Sequence, residues 1–127
     1  MSLFDKTTDA LATSLQMRQI RHNVTSANIA NAETPHYHAK KVDFEHALAS
    51  ALETEGIAGD HLGGQHVKNV KADVYENPDV AVNNDGNTVD LEKEMSALAE
   101  NSILYKSALQ LINKKMAALK YAVSETR

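Results

Sequence analysis

Ten residues of the C-terminal third constrain this chain more than anything else in it. Leu91, Met95, Leu98, Ser102, Tyr105, Leu109, Ile112, Met116, Leu119 and Val123 follow one another in alternating steps of four and three. That spacing returns every side chain to one stripe of an α-helix, and a strand with its period of two cannot reproduce it. Leu104, Ala108, Leu111, Ala118 and Ala122 widen the stripe on one side. At about 1.5 Å per residue such a helix is roughly 50 Å long. Asp90, Glu92, Glu94 and Glu100 come first, and Lys106, Lys114, Lys115 and Lys120 follow, the order that the helix dipole favours. Thr88 or Asp90 supplies a cap at its start.

The N-terminal segment repeats the period more faintly. Leu3, Ala10, Met17, Val24 and Asn31 recur every seven residues, with Thr13, Ile20 and Ala27 three after the later members. This predicts a helix from about residue 6 to about residue 31. Neither helix is stable with its stripe in water, so the two ends are expected to pack as an antiparallel pair. The C-terminal stripe is longer and wider than its partner, and further chains of the same or a related kind are its expected cover.

Between the ends the character changes. Residues 32–87 carry four basic and ten acidic groups, while 1–31 and 88–127 are nearly balanced. A short helix is predicted over about 43–55, with Phe44, Ala47, Leu48, Ala51 and Leu52 on one face, Asp43 as its cap and Gly56 at its end. The stretch 56–66, with Gly59, Gly63 and Gly64, is expected to be mobile. Short strands are expected over about 67–83, drawn from Val67, Val70, Val74, Tyr75, Val80 and Val82. The reading is therefore a mainly α chain. A terminal helical domain (1–31 and 84–127) holds an inserted segment (32–83) with one short helix and a small irregular or β portion. Four Tyr, two Phe and no Trp suit such helix packing better than a sandwich.

Several function classes are excluded or weakened. The absence of Cys removes disulfide and thiol chemistry. A net charge of −4 argues against nucleic acid as a partner. No apolar run approaches the ~18–20 residues that span a bilayer, and no cleavable secretory signal is visible. No nucleophile elbow or phosphate-cradling glycine motif is present, so catalysis has no candidate residues and no cofactor is called for. Residues 81–92 resemble a calcium loop at Asn83, Asp85, Gly86 and Glu92, yet the first ligand would be Ala81, which has no side-chain oxygen. The plain reading is a turn at Asn84-Asp85-Gly86 leading into a helix cap. His36, His38, His61 and His66 lack the spacing of a zinc cluster.

The stretch Ser26-Ala27-Asn28-Ile29-Ala30-Asn31-Ala32-Glu33-Thr34-Pro35-His36-Tyr37 resembles the signature that closes the first helix of bacterial flagellar rod and hook proteins. Asp85-Gly86-Asn87-Thr88-Val89-Asp90-Leu91-Glu92, followed by Asn101, Ser102 and Tyr105, resembles the start of the last helix in the same family. The short length and the helix start point within it to the proximal rod. That family usually has glycine where this chain has His36, and a non-glycine residue in a turn needing positive φ costs on the order of 1 kcal/mol.

The resemblance implies a structural subunit, not an enzyme. Copies would assemble helically around an export channel and transmit torque from the motor toward the hook. The expected partners are the chain itself, other rod proteins, the basal adaptor protein and the export-gate proteins. The expected place is the periplasmic rod of the basal body, reached by type III export without a cleaved signal peptide. The residues expected to carry the rod motif and the contacts between subunits are Asn28, Ala30, Asn31, Thr34, Pro35, Tyr37, Leu98, Ser102, Tyr105, Leu109, Ile112 and Met116. Rival readings are a soluble coiled-coil adaptor, a type III secretion component that binds another helix, and a small metal or calcium module.

Overall fold

The computed structural model describes residues 6–58 and 67–125. In chain order these form α1 (Lys6–Ala30), β1 (Lys40–Asp43), α2 (Glu45–Ala58), a 3-10 turn at Val67–Asn69, β2 (Asp73–Glu76) and α3 (Leu91–Glu125). The mainly helical reading with long terminal helices holds. Most of the stretch expected to be mobile, residues 59–66, lies outside the described residues, and its first three residues belong to α2.

The two long helices run antiparallel. Arg18 of α1 donates to Asn101 Oδ1 of α3 at 3.2 Å, and Asn101 Nδ2 donates back to the Arg18 carbonyl at 2.8 Å. Further along α1, Asn28 lies near Glu94, which comes earlier in α3. Leu98, Tyr105 and Ile112 of α3 are half-buried on the same side. The fully buried positions of α3 among the described residues are Asn101 and Ala108. A buried asparagine must find hydrogen-bond partners, so its paired bonds with Arg18 fix the rotation of α3 about its own axis.

The apolar stripe of α1 faces elsewhere, which corrects the expectation that the terminal stripes hide one another. Met17, Ile20 and Val24 pack with Val42 and Phe44, together with Ala72. Ala10 packs with Ala51, Val67 and Val70, joined by Ala47, Leu48 and Leu52. The middle segment thus covers α1, at about 1.5–3 kcal/mol for each large apolar side chain fully buried. Two cations hold the same seam, since the Arg21 and Arg18 guanidinium groups lie 4.6 and 5.3 Å from the Phe44 ring centroid.

The insert is simpler than expected. β1 and β2 pair antiparallel, Lys40 opposite Glu76 and Asp43 opposite Asp73. Strands were expected from Val67, Val70, Val80 and Val82 as well. Instead Val67 sits in the 3-10 turn, Val70 closes the second apolar cluster, and Val80 and Val82 lie in irregular chain. The partner strand β1 is the one the valine pattern does not reveal. Two caps also differ. Asp43 is held in β1, and Glu45 Oε2 accepts the Phe44 amide at 3.3 Å instead. Gly56 lies inside α2, which continues to Ala58.

Candidate functional site: a two-motif clasp and an uncovered helix face

The two motifs quoted from the sequence, more than fifty residues apart, interlock. α1 ends at Ala30, where Asn31 turns back on Ala27: its amide donates to the Ala27 carbonyl at 3.1 Å, and its side chain does so at 2.8 Å. A continued helix would have residue 35 donate to the Asn31 carbonyl, but Pro35 has no N–H. That carbonyl accepts Thr34 N–H at 3.1 Å and, from across the chain, Asn87 Nδ2 at 2.8 Å. The same Asn87 amide reaches the Thr34 carbonyl at 2.7 Å, while its Oδ1 accepts Val89 N–H at 2.7 Å. Asn87 is 0% exposed. It closes the end of α1 with one hand and opens the approach to α3 with the other.

The neighbouring bonds extend the clasp. His36 donates its amide to the Asp85 carbonyl at 3.0 Å, Thr88 donates to the Tyr37 carbonyl at 3.0 Å, and Ala39 donates to Thr88 Oγ1 at 2.8 Å. Thr88 is therefore spent on the clasp, and the cap of α3 falls to Asp90, whose Oδ1 accepts Lys93 N–H at 3.2 Å. His36 has φ 62° and Gly86 has φ 80°. The departure from glycine at position 36 is thus placed in left-handed backbone. Its ring lies directly over Gly86, where an added Cβ would come within 2.5 Å of His36 Nδ1.

Asn28 anchors the other side. Its Nδ2 donates to the Lys40 carbonyl at 2.8 Å, and its Oδ1 accepts Lys40 N–H at 3.0 Å and the Tyr37 hydroxyl at 3.3 Å. Three of the four bonding positions of the amide are filled within the chain, and the side chain is 0% exposed. Burial holds the Glu94 carboxyl above its usual range, against the opposing effect of the nearby Asn28 amide.

The residues predicted for subunit contacts thus separate into four groups. Asn28, Asn31 and Tyr37 serve the chain's own clasp, with amides spent inside one subunit. Ala30, Thr34 and Pro35 are exposed on its outer surface. Leu98, Ser102, Tyr105 and Ile112 are half-buried on the side of α3 that meets α1, whereas Leu109 and Met116 face outward with Leu91, Met95, Ile103, Leu104, Leu111, Tyr121 and Val123. Sequence reasoning missed Asn87 as a clasp residue. Its one signal was a buried-type amide flanked by a turn and a cap, which reads equally well as part of the turn. Among the described residues no three His, Asp or Glu side chains gather as metal ligands, and Asn83-Asp85-Gly86 forms a turn in which Gly86 donates to the Asn83 carbonyl at 2.9 Å.

The comparisons with known proteins cover the first motif and nearly the whole chain. The family described as "Flagella basal body rod protein" matches residues 9–37. The chain is 36% identical over 125 residues to the flagellar basal body rod protein FlgB of Bacillus subtilis (strain 168), covering 94% of this chain and 95% of that one. It is 34% identical over 121 residues to the protein of that name from Aeromonas hydrophila, covering 91% of each, and 34% identical over 116 residues to that of Salmonella typhimurium (strain LT2), covering 83% of each. With both signature segments joined in one buried clasp and relatives matched almost end to end, the chain belongs to the FlgB family of flagellar basal body rod proteins, which are structural and not enzymatic.

Proposed function

We propose that this chain is a subunit of the proximal rod, stacking helically with copies of itself and with other rod proteins around the export channel and passing torque along the stack. In this reading residues 1–31 and 84–127 form the terminal domain that lines the rod core, and residues 32–83 decorate it. The basal adaptor and the export gate are its neighbours at the lower end. The chain reaches the periplasmic rod by type III export.

The observation that carries this reading is the outward face of α3. A helix of 35 residues keeps Met95, Ile103, Leu111, Tyr121 and Val123 more than half exposed while the side that carries Asn101, Leu98 and Ile112 meets α1. Large apolar side chains left exposed along so much of a helix mark contacts with other chains, and a heterologous contact that does not close gives a helical stack. The clasp supports the reading by setting the angle between α1 and α3 inside each subunit before any contact forms.

Replacing Leu109 and Met116 together by alanine in the source bacterium tests it. Both side chains face outward, so the purified variant should melt within about 2 °C of the parent. Swimming should be lost, and basal bodies should stop short of a rod. Normal swimming of that variant would remove α3's outer face from the assembly.

A further inference from the structure

The small sheet has one closed edge and one open edge. Asn77 donates to the Ala39 carbonyl at 2.9 Å, so 39/77, 41/75 and 43/73 are the bonded pairs of the antiparallel ladder. The backbone groups of Lys40 and Val42 therefore point away from β2, and those of Val74 and Glu76 point away from β1. On the β1 side these groups are taken. Asn28 bonds both the N–H and the carbonyl of Lys40, and Arg21 donates to the Val42 carbonyl at 2.6 Å. On the β2 side, no described residue bonds the outward groups of Val74 and Glu76. The Val74 side chain, opposite the buried Val42, remains 44% exposed.

We infer that the β2 edge receives an extended segment of another protein as a third strand, with an apolar residue opposite Val74 and basic residues opposite Asp73 and Glu76. Two outward pairs of N–H and C=O groups supply the main-chain bonds of strand addition. An apolar residue opposite Val74 would continue the Met17, Val42 and Phe44 cluster. Charge selects the occupant. Residues 72–79 hold Asp73, Glu76 and Asp79 and no basic side chain. His38 lies 3.8 Å from Glu76 and Lys41 3.6 Å from Asp79, while Asp73 has no cation beside it among the described residues. Joining two copies of β2 edge to edge would set four carboxylates on adjoining strands, which like-charge repulsion opposes. The β1 edge of a second copy is closed by its own α1. The occupant is therefore a basic strand from a different protein. This inference stands whether or not the chain builds the proximal rod.

The test uses the full chain and two capped peptides, Thr-Lys-Thr-Val-Lys-Thr and a control with glutamate in place of each lysine. Amide exchange at Val74 and Glu76 is followed by nuclear magnetic resonance. The lysine peptide at millimolar concentration should slow both amides at least about tenfold, and the glutamate peptide should not. Val74→Pro removes only an outward N–H, which an edge strand tolerates, and should abolish binding of the lysine peptide. Asp73→Lys with Glu76→Lys should reverse the preference. Equal effects of the two peptides, no slowing at either amide, or unchanged preference in the charge-reversed chain would each overturn the inference. Should Val74→Pro fail to fold, the charge-reversed chain decides.

Discussion

The contact between His36 and Gly86 shows how closely two distant motifs depend on each other. Gly86→Ala meets two separate penalties: a side chain at φ 80° and a collision with the His36 ring. The first costs on the order of 1 kcal/mol. The second vanishes when His36 is glycine. A double-mutant cycle with His36→Gly is therefore expected to show coupling on the order of 1 kcal/mol, measured by urea unfolding, and additive costs would separate the two residues. Asn87→Ala should be more damaging than either. It strips the Asn31 and Thr34 carbonyls of a shared donor and Val89 of its acceptor, a loss of about 2–3 kcal/mol in the same assay. At this scale the sequence was partly legible. Pro35 and the asparagines announced a helix end, but that Asn87 would fill the gap left by the missing proline N–H needed the two segments side by side.

Among the elements, α2 is tied to α1 by a charge that acid should release. Burial pushes the Glu45 carboxyl up, but bonds from Arg21 and from the Glu45 and Phe44 amides outweigh it, bringing the value down to about 2. A carboxyl lowered on folding contributes stability above its unfolded value near 4.5, and that contribution is lost as pH falls toward 2. The stability difference between the parent and Glu45→Gln should therefore shrink steadily from pH 5 to pH 2. A constant difference across that range would mean the Arg21 contact adds nothing. Half of the Glu45 side chain is exposed, so the effect is screened and should also weaken in high salt. The elements themselves differ in legibility for a physical reason. α1 and α3 repeat their signal over many turns. β1 spans only Lys40–Asp43 with a single buried residue, Val42, and its partner lies more than thirty residues away, so no local period marks it.

For the whole molecule, the consequence is a subunit whose stability is unevenly spread. The middle of α3 is tied to α1 through Asn101 and Ala108, while residues 120–125 are exposed throughout. In the isolated chain, amides of that last stretch should exchange on the order of 100-fold faster than those near Asn101, and assembly should slow them. Uniform protection along α3 in a monomer would show that the subunit is complete alone. The sequence by itself determined that two long helices exist, where they end and that one carries more apolar surface than a single partner can cover, because helical period and terminators are local properties. Only the tertiary structure decided which face each helix turns inward. Buried Asn101 had to meet Arg18, and Val42 and Phe44 had to find cover, so the insert took the apolar side of α1, while α3 turned Leu98, Tyr105 and Ile112 toward α1 and kept Met95, Ile103 and Leu111 facing out.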